Sequence, residues 1–221
     1  MIIRENIIDI KDLISTDKLQ IEGYEDIFNK AIFFDLEHYV YKKPICIGVF
    51  GSCFYDSQKN VLRVTQYMIE SNKDAPVIVK MAKDYFQNAY KNGKIHIVTF
   101  SGNNDYTVIN YLFQKYKVSF NFDNFIKVDI QDLFKETTGI CTGLKTIEKQ
   151  FNIVRGNRPI SGANLAKTFS KIMKDKDYIN RMPKEKIQTI LLYNEQDVVS
   201  LFEILANWDS FARNFNKENT Y

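Results

Sequence analysis

The sequence predicts an α/β fold: a mixed five-stranded sheet, three antiparallel strands and then parallel ones, with helices on both faces. Three observations carry this. Three runs rich in β-branched and aromatic residues, Ala31–Tyr41, Ile45–Tyr55 and Val61–Ile69, follow one another across short polar connections. After them helical and strand patterns alternate, as βαβ-type crossovers require. With four prolines, nine glycines and no repeat, low-complexity tract or linker, the 221 residues fit one sizeable domain.

The expected elements run in order. Arg4 to Asn29 suggests short helices with a break near Ile21 to Gly23, a helical extension over residues 1–30. The three strand runs open a domain over residues 31–210, joined by "KKP" and "DSQKN", turn-like enough for an antiparallel meander. A helix follows from about Ala75 to Asn92, ended by "NG". "KIHIVTF", Lys94 to Phe100, is a short apolar strand leading into the turn "SGNND" and the helix "DYTVINYLFQKY". "FIKVDI", Phe125 to Ile130, is the fifth strand. The chain then turns helical from Gln131. Its last long helix begins near Pro183, a residue favoured in a first turn, and runs to about Trp208. Residues 211–221 are expected as a tail.

Composition narrows the function classes. No apolar run is long enough to span a bilayer, and "MIIRENIIDIKDL" lacks the order of a signal peptide, so a cytoplasmic protein is expected. Cys46, Cys53 and Cys141 form no CxxC pair and no metal-ligand spacing, which suits buried free thiols. The net charge is only +3, but Thr142–Lys186 holds eleven Lys/Arg against four Asp/Glu, while the rest holds 19 against 23. Such a basic segment is either solvated helix surface or a phosphate-binding face.

Acidic pairs at i, i+2 occur three times: Asp35/Glu37, Asp175/Asp177 and Glu195/Asp197. Asp175/Asp177 lies in a polar stretch and reads as surface. Asp35/Glu37 lies in "AIFFDLEHYV", where i and i+2 share one strand face. Burying two such carboxylates is costly unless a cation compensates them; the bland alternative is an exposed edge strand, against which the apolar flank argues. On the last helix Ile190, Tyr193, Asp197, Leu201, Ile204 and Trp208 form one stripe, so Asp197 points inward with Tyr193 beside it. Alone, that pair is a structural hydrogen bond. Asp105, just past a glycine turn, is by itself an N-cap. Together the four carboxylates can meet at one site, of the kind that holds two divalent metals in phosphoryl-transfer enzymes. Oxygen-only ligands favour Mg²⁺ or Mn²⁺, and two histidines exclude a histidine-rich zinc site. His38 should face away from Glu37 unless the strand is distorted, and His96 should be core.

The ordered segments "FFDLE", "FSGNND" and "YNEQD" resemble the three exonuclease motifs of the DEDD superfamily, which has a ribonuclease H-like fold. The third, Tyr-x-x-x-Asp, is the DEDDy form. The chain is further similar to YprB-type ribonuclease H-like domains, in which an Asn-Gly-x-x-Phe-Asp motif precedes a helix like "GLKTIEKQFNI". The resemblance spans about Ala31 to Leu205. It implies Asp35, Glu37, Asp105 and Asp197 as ligands of two Mg²⁺ or Mn²⁺ ions, and Tyr193 as the residue orienting the attacking water. Ser101 stands where Asn is usual and Asn104 where Phe is usual. The implied activity is 3′-5′ exonuclease hydrolysis of a single-stranded DNA or RNA end, or of a short oligonucleotide. Lys145, Lys149, Arg155 and Arg158 are candidate phosphate contacts. The alternative is a catalytically weak or inactive module binding nucleic acid or protein on the same fold.

Overall fold

The computed structural model describes residues 1–12, 26–156 and 160–218. Strands are β1 Ile2–Asp9, β2 Ala31–Tyr41, β3 Lys43–Asp56, β4 Val61–Met68, β5 His96–Thr99 and β6 Ile126–Asp129. Helices are α1 Ile27–Lys30, α2 Ala75–Lys91, α3 Asn103–Lys115, α4 Ile130–Thr138, α5 Leu144–Gln150, α6 Gly162–Lys174, α7 Tyr178–Arg181, α8 Lys184–Ala206 and α9 Trp208–Glu218.

The strands form one mixed sheet in the order β1-β4-β3-β2-β5-β6. β1, β4, β3 and β2 pair antiparallel, and β2, β5 and β6 pair parallel. The meander and both crossovers stand where the sequence places them. The strand count is corrected from five to six. Ile2–Asp9, expected to contribute to a helical extension, is the edge strand paired with β4. Its residues alternate between half-buried and exposed, but Ile3 and Ile7 lie on the open side and Arg4 and Asn6 on the covered one, which disguises that period. The expected break at Ile21 to Gly23 lies outside the described residues. Residues 211–218, expected as a tail, continue α9, where Phe211 stacks on Phe151 at 4.5 Å between ring centroids.

Helices cover both faces. Ile32, Phe34 and Phe50 pack with Phe86 of α2, Leu112 of α3 and Phe169 of α6. Phe33, Cys53 and Val64 pack with Phe202 and Leu205 of α8 and Phe134 of α4. β2 thus sends alternate residues into two cores, which explains its unbroken apolar start. Cys46 and Cys53 are buried as expected, whereas Cys141 is exposed. Among the described residues no helix is long and apolar enough to cross a membrane.

Candidate metal centre

The odd-numbered face of β2 changes character along its length. Phe33 meets Phe202 of α8 edge-on at 5.5 Å. Two residues further on, Asp35 falls under the part of α8 that carries Asn194 and Asp197. One carboxylate oxygen each from Asp35, Glu37 and Asp197 lies within 4.8 Å of the others. A central strand and an inward helix stripe therefore bring together residues 162 positions apart in the chain.

A buried relay holds Asp35. Asp35 faces Gly51 across the β2–β3 ladder, and Gly51 faces Gln66 across the β3–β4 ladder. Asn194 of α8, fully buried, fills the room above Gly51. Its Nδ2 donates to Asp35 Oδ2 at 2.9 Å, and its Oδ1 accepts from Gln66 Nε2 at 2.8 Å. Gln66 Nε2 also donates to the Leu191 carbonyl at 2.8 Å. A Cβ on Gly51 would stand 2.1 Å from Asn194 Oδ1, so this position needs glycine for close approach. One position on, Glu195 is occupied elsewhere, pairing with Arg4 of β1 at 3.3 Å.

Asp105 reaches the same cleft from the opposite side. It lies in the first turn of α3, and the cap position belongs to Gly102. Asp105 is buried, lines the cleft and stands outside the tight group of three carboxylates; its Oδ1 is 4.0 Å from His38 Nε2. The turn before it is clamped by Asp129, the last residue of β6. Ser101 N–H donates to Asp129 Oδ1 at 2.9 Å and Gly102 N–H to Oδ2 at 2.8 Å, while Oδ1 also caps α4 through Gln131 N–H at 2.9 Å. Ser101 takes the left-handed φ of 50° that asparagine adopts more readily. Asn104 hydrogen-bonds His38 Nε2 at 2.9 Å, a polar partner for the position where the resemblance has Phe. His38 enters the cleft because the β2–β3 register shifts after Glu37, with Gly48 unpaired between Ile47 and Val49. A bulge re-aims a side chain in this way, so of the two orientations open to His38 the distorted one holds.

The cleft measures about 450 Å³ and gathers Asp35, Glu37, Asp105, Tyr193 and Asp197 with Lys145 and Arg155. Burial dominates its electrostatics. It pushes Asp35 up to about 6, against the Asn194 hydrogen bond and the Arg155 charge. Burial, then Asp35, Asp197 and Asp105, push Glu37 up to about 10. Burial and Asp35 push Asp197 up to about 8 against the pull of Arg155. Asp105 is raised well above the carboxylate range by burial, Asp35, Asp129 and Asp197. Burial and Asp197 also raise the Tyr193 phenol, which keeps its proton at neutral pH. Negative charge thus exceeds what the neighbouring side chains compensate. Three converging hard-oxygen donors fit a divalent cation such as Mg²⁺ or Mn²⁺.

Arg155 is the cation that touches this group. Its Nη2 donates to Asp197 Oδ1 at 2.5 Å and to Glu148 Oε1 at 2.5 Å, and its Nε to Glu148 Oε2 at 2.6 Å. Glu148, on α5, is 2% exposed. The guanidinium lies 5.4 Å from the Tyr193 ring centre, and Lys145 Nζ 5.2 Å from the same ring. Of the four expected phosphate contacts, Lys145 and Arg155 line the cleft, Lys149 is exposed on α5 apart from the cleft lining, and Arg158 lies outside the described residues. Gly51, Gln66, Asn194, Asp129 and Glu148 escaped sequence reasoning. Only Asn194 carried a signal, being a polar residue at the inward edge of the α8 stripe.

The family model RNase_H_2, described as RNase_H superfamily, matches residues 32–209. That span contains every carboxylate of the cleft. No curated protein matches the chain.

Proposed function

We propose that this chain, which belongs to the RNase_H superfamily, is a metal-dependent 3′-5′ exonuclease of the DEDDy, YprB-like kind, acting on single-stranded nucleic acid. Members of this superfamily are generally nucleases that use divalent metals. The observation that carries the reading is the convergence of Asp35, Glu37 and Asp197 within 4.8 Å inside the matched span. The Tyr193–Asp197 spacing and the placement of Asp105 in the same cleft support it.

Asp35, Glu37 and Asp197 would hold the cation, with Asp105 completing a set for two ions. When bound, such cations lower the pKa of water and offset the charge that builds on the phosphodiester in transit. The chain's own residues do the rest. The Gln66–Asn194 relay fixes the Asp35 carboxylate and so limits its reorganisation. Tyr193, protonated and with Lys145 and Arg155 near its ring, orients the attacking water by hydrogen bonding. Lys145, and Arg155 once a cation takes over Asp197, bind the phosphate oxygens. Water oxygen bonds to phosphorus as the P–O3′ bond breaks, releasing a 5′-mononucleotide.

The test is a cleavage assay on 3′-labelled and circular single strands of DNA and RNA, with Mn²⁺ or with EDTA. Stepwise loss from the 3′ end, abolished by EDTA and by Asp197→Ala, is expected. Cutting of circles, or full activity of Asp197→Ala, would overturn the reading. One observation favours a second reading, a non-catalytic binding module: Arg155 already neutralises Asp197. Calorimetric titration with Mn²⁺ separates the two, since a binding module takes up no metal there.

A further inference from the structure

A second concavity lies further toward the start of α8. It measures about 620 Å³ and lies between α6, α7 and the first half of α8. Ile190 lines this groove and Tyr193 lines the cleft, one turn apart on α8. From Lys186 to Asp197 the helix spans about 16 Å, so the two concavities follow one another along the same stripe of α8.

The groove is basic. Lys167, Lys171 and Lys186 line it, and among the described residues Glu185 is its one acidic residue. α6 carries Lys167, Lys171 and Lys174 at steps of four and three and no acidic residue, while Phe169 and Ile172 bury its other side. Like charges at i, i+4 destabilise a helix unless something opposes them. Lys167, Lys171 and Lys186 form no ion pair with any described residue. The neutral lining suits the same ligand: Asn164 offers an amide, and Tyr178 offers a half-buried ring with Lys171 Nζ 5.4 Å from its centre. Lysines, short polar side chains and an aromatic platform are what a sugar-phosphate strand uses.

We infer that this groove is the path of the substrate strand leaving the cleft, with Lys167, Lys171 and Lys186 on its phosphates. The inference rests on the nuclease reading for the identity of the strand. Its test measures binding in EDTA, so that nothing is cut. Anisotropy of 5′-fluorescein oligo(dT) and oligo(U) of about twelve nucleotides is followed over a range of KCl concentrations. Wild type is compared with a K167Q/K171Q/K186Q variant, whose unchanged Mn²⁺ titration controls for folding. Each phosphate contact on a single strand contributes a salt slope of about 0.7, so the variant should lose a slope of about 2 and bind at least ~10-fold more weakly near 0.1 M salt. An unchanged slope overturns the inference. So does equally tight binding of polyglutamate, which would make the groove a site for acidic protein segments. A wild type that takes up no Mn²⁺ overturns the nuclease reading alone, because the groove is read without metal.

Discussion

Gly51 and Arg155 carry more of this site than their residue types suggest. Gly51 is a space that Asn194 occupies in order to hold Asp35. Gly51→Ala forces that amide away and leaves buried polar groups unpaired, so a loss of about 2 kcal/mol in urea unfolding is expected, with weaker Mn²⁺ binding. An unchanged midpoint would show that Asn194 relaxes without cost. Arg155 answers two carboxylates at once. Arg155→Ala releases Asp197 but strands the buried Glu148, so stability should fall by about 3 kcal/mol while Mn²⁺ binding tightens roughly tenfold. Adding Glu148→Gln should restore most of the stability and keep the tighter binding. Calorimetry on the two variants separates the roles: unaltered Mn²⁺ affinity in both would mean that Arg155 does not compete with the cation.

The junction of β5, α3 and β6 shows how elements place a residue whose own sequence context is ambiguous. Asp105 depends on the turn at Ser101 and Gly102, and that turn depends on the carboxylate of Asp129. Asp129→Ala removes the acceptor for three backbone N–H groups, one of which is the cap of α4. A loss of about 2–3 kcal/mol and a marked fall in cleavage are expected. Asp129→Asn should retain part of both. Normal cleavage by a destabilised Asp129→Ala variant would separate the turn from the site. The same dependence explains how Ser at 101 and Asn at 104 are accommodated: Asp129 holds the first and His38 the second.

For the whole molecule, the buried carboxylates tie stability to pH and metal. Asp35 is raised from its ordinary value to about 6, and Asp197 to about 8. A carboxyl raised on folding stabilises the protein fully below its unfolded value, and that contribution is lost as pH rises through the folded one. Metal-free protein should therefore melt at progressively lower temperature as pH is raised from about 4 to 8. Excess Mn²⁺ should reverse the decline near neutral pH, by about 2.7 kcal/mol at a hundredfold excess over Kd. Differential scanning fluorimetry with Mn²⁺ and with EDTA checks this; a flat profile in EDTA would remove the carboxylates from the stability balance.

The sequence by itself determined the meander, the crossovers and the shared faces that carry Asp35, Glu37 and Asp197, because period and composition are local properties. Asp35 and Glu37 share a face at any register, and the α8 stripe turns Asp197 inward whatever it packs on. Tertiary structure alone decided the rest. β1 reveals itself as a strand only beside β4, since Arg4 and Asn6 on its covered side and Ile3 and Ile7 on its open side leave no clean alternation to read. His38 enters the cleft through a register shift that involves Gly48 of the neighbouring strand. Gly51, Asn194, Gln66 and Arg155 acquire their roles from partners far away in the chain. Desolvation and hydrogen bonding act through space, and neither leaves a period to read.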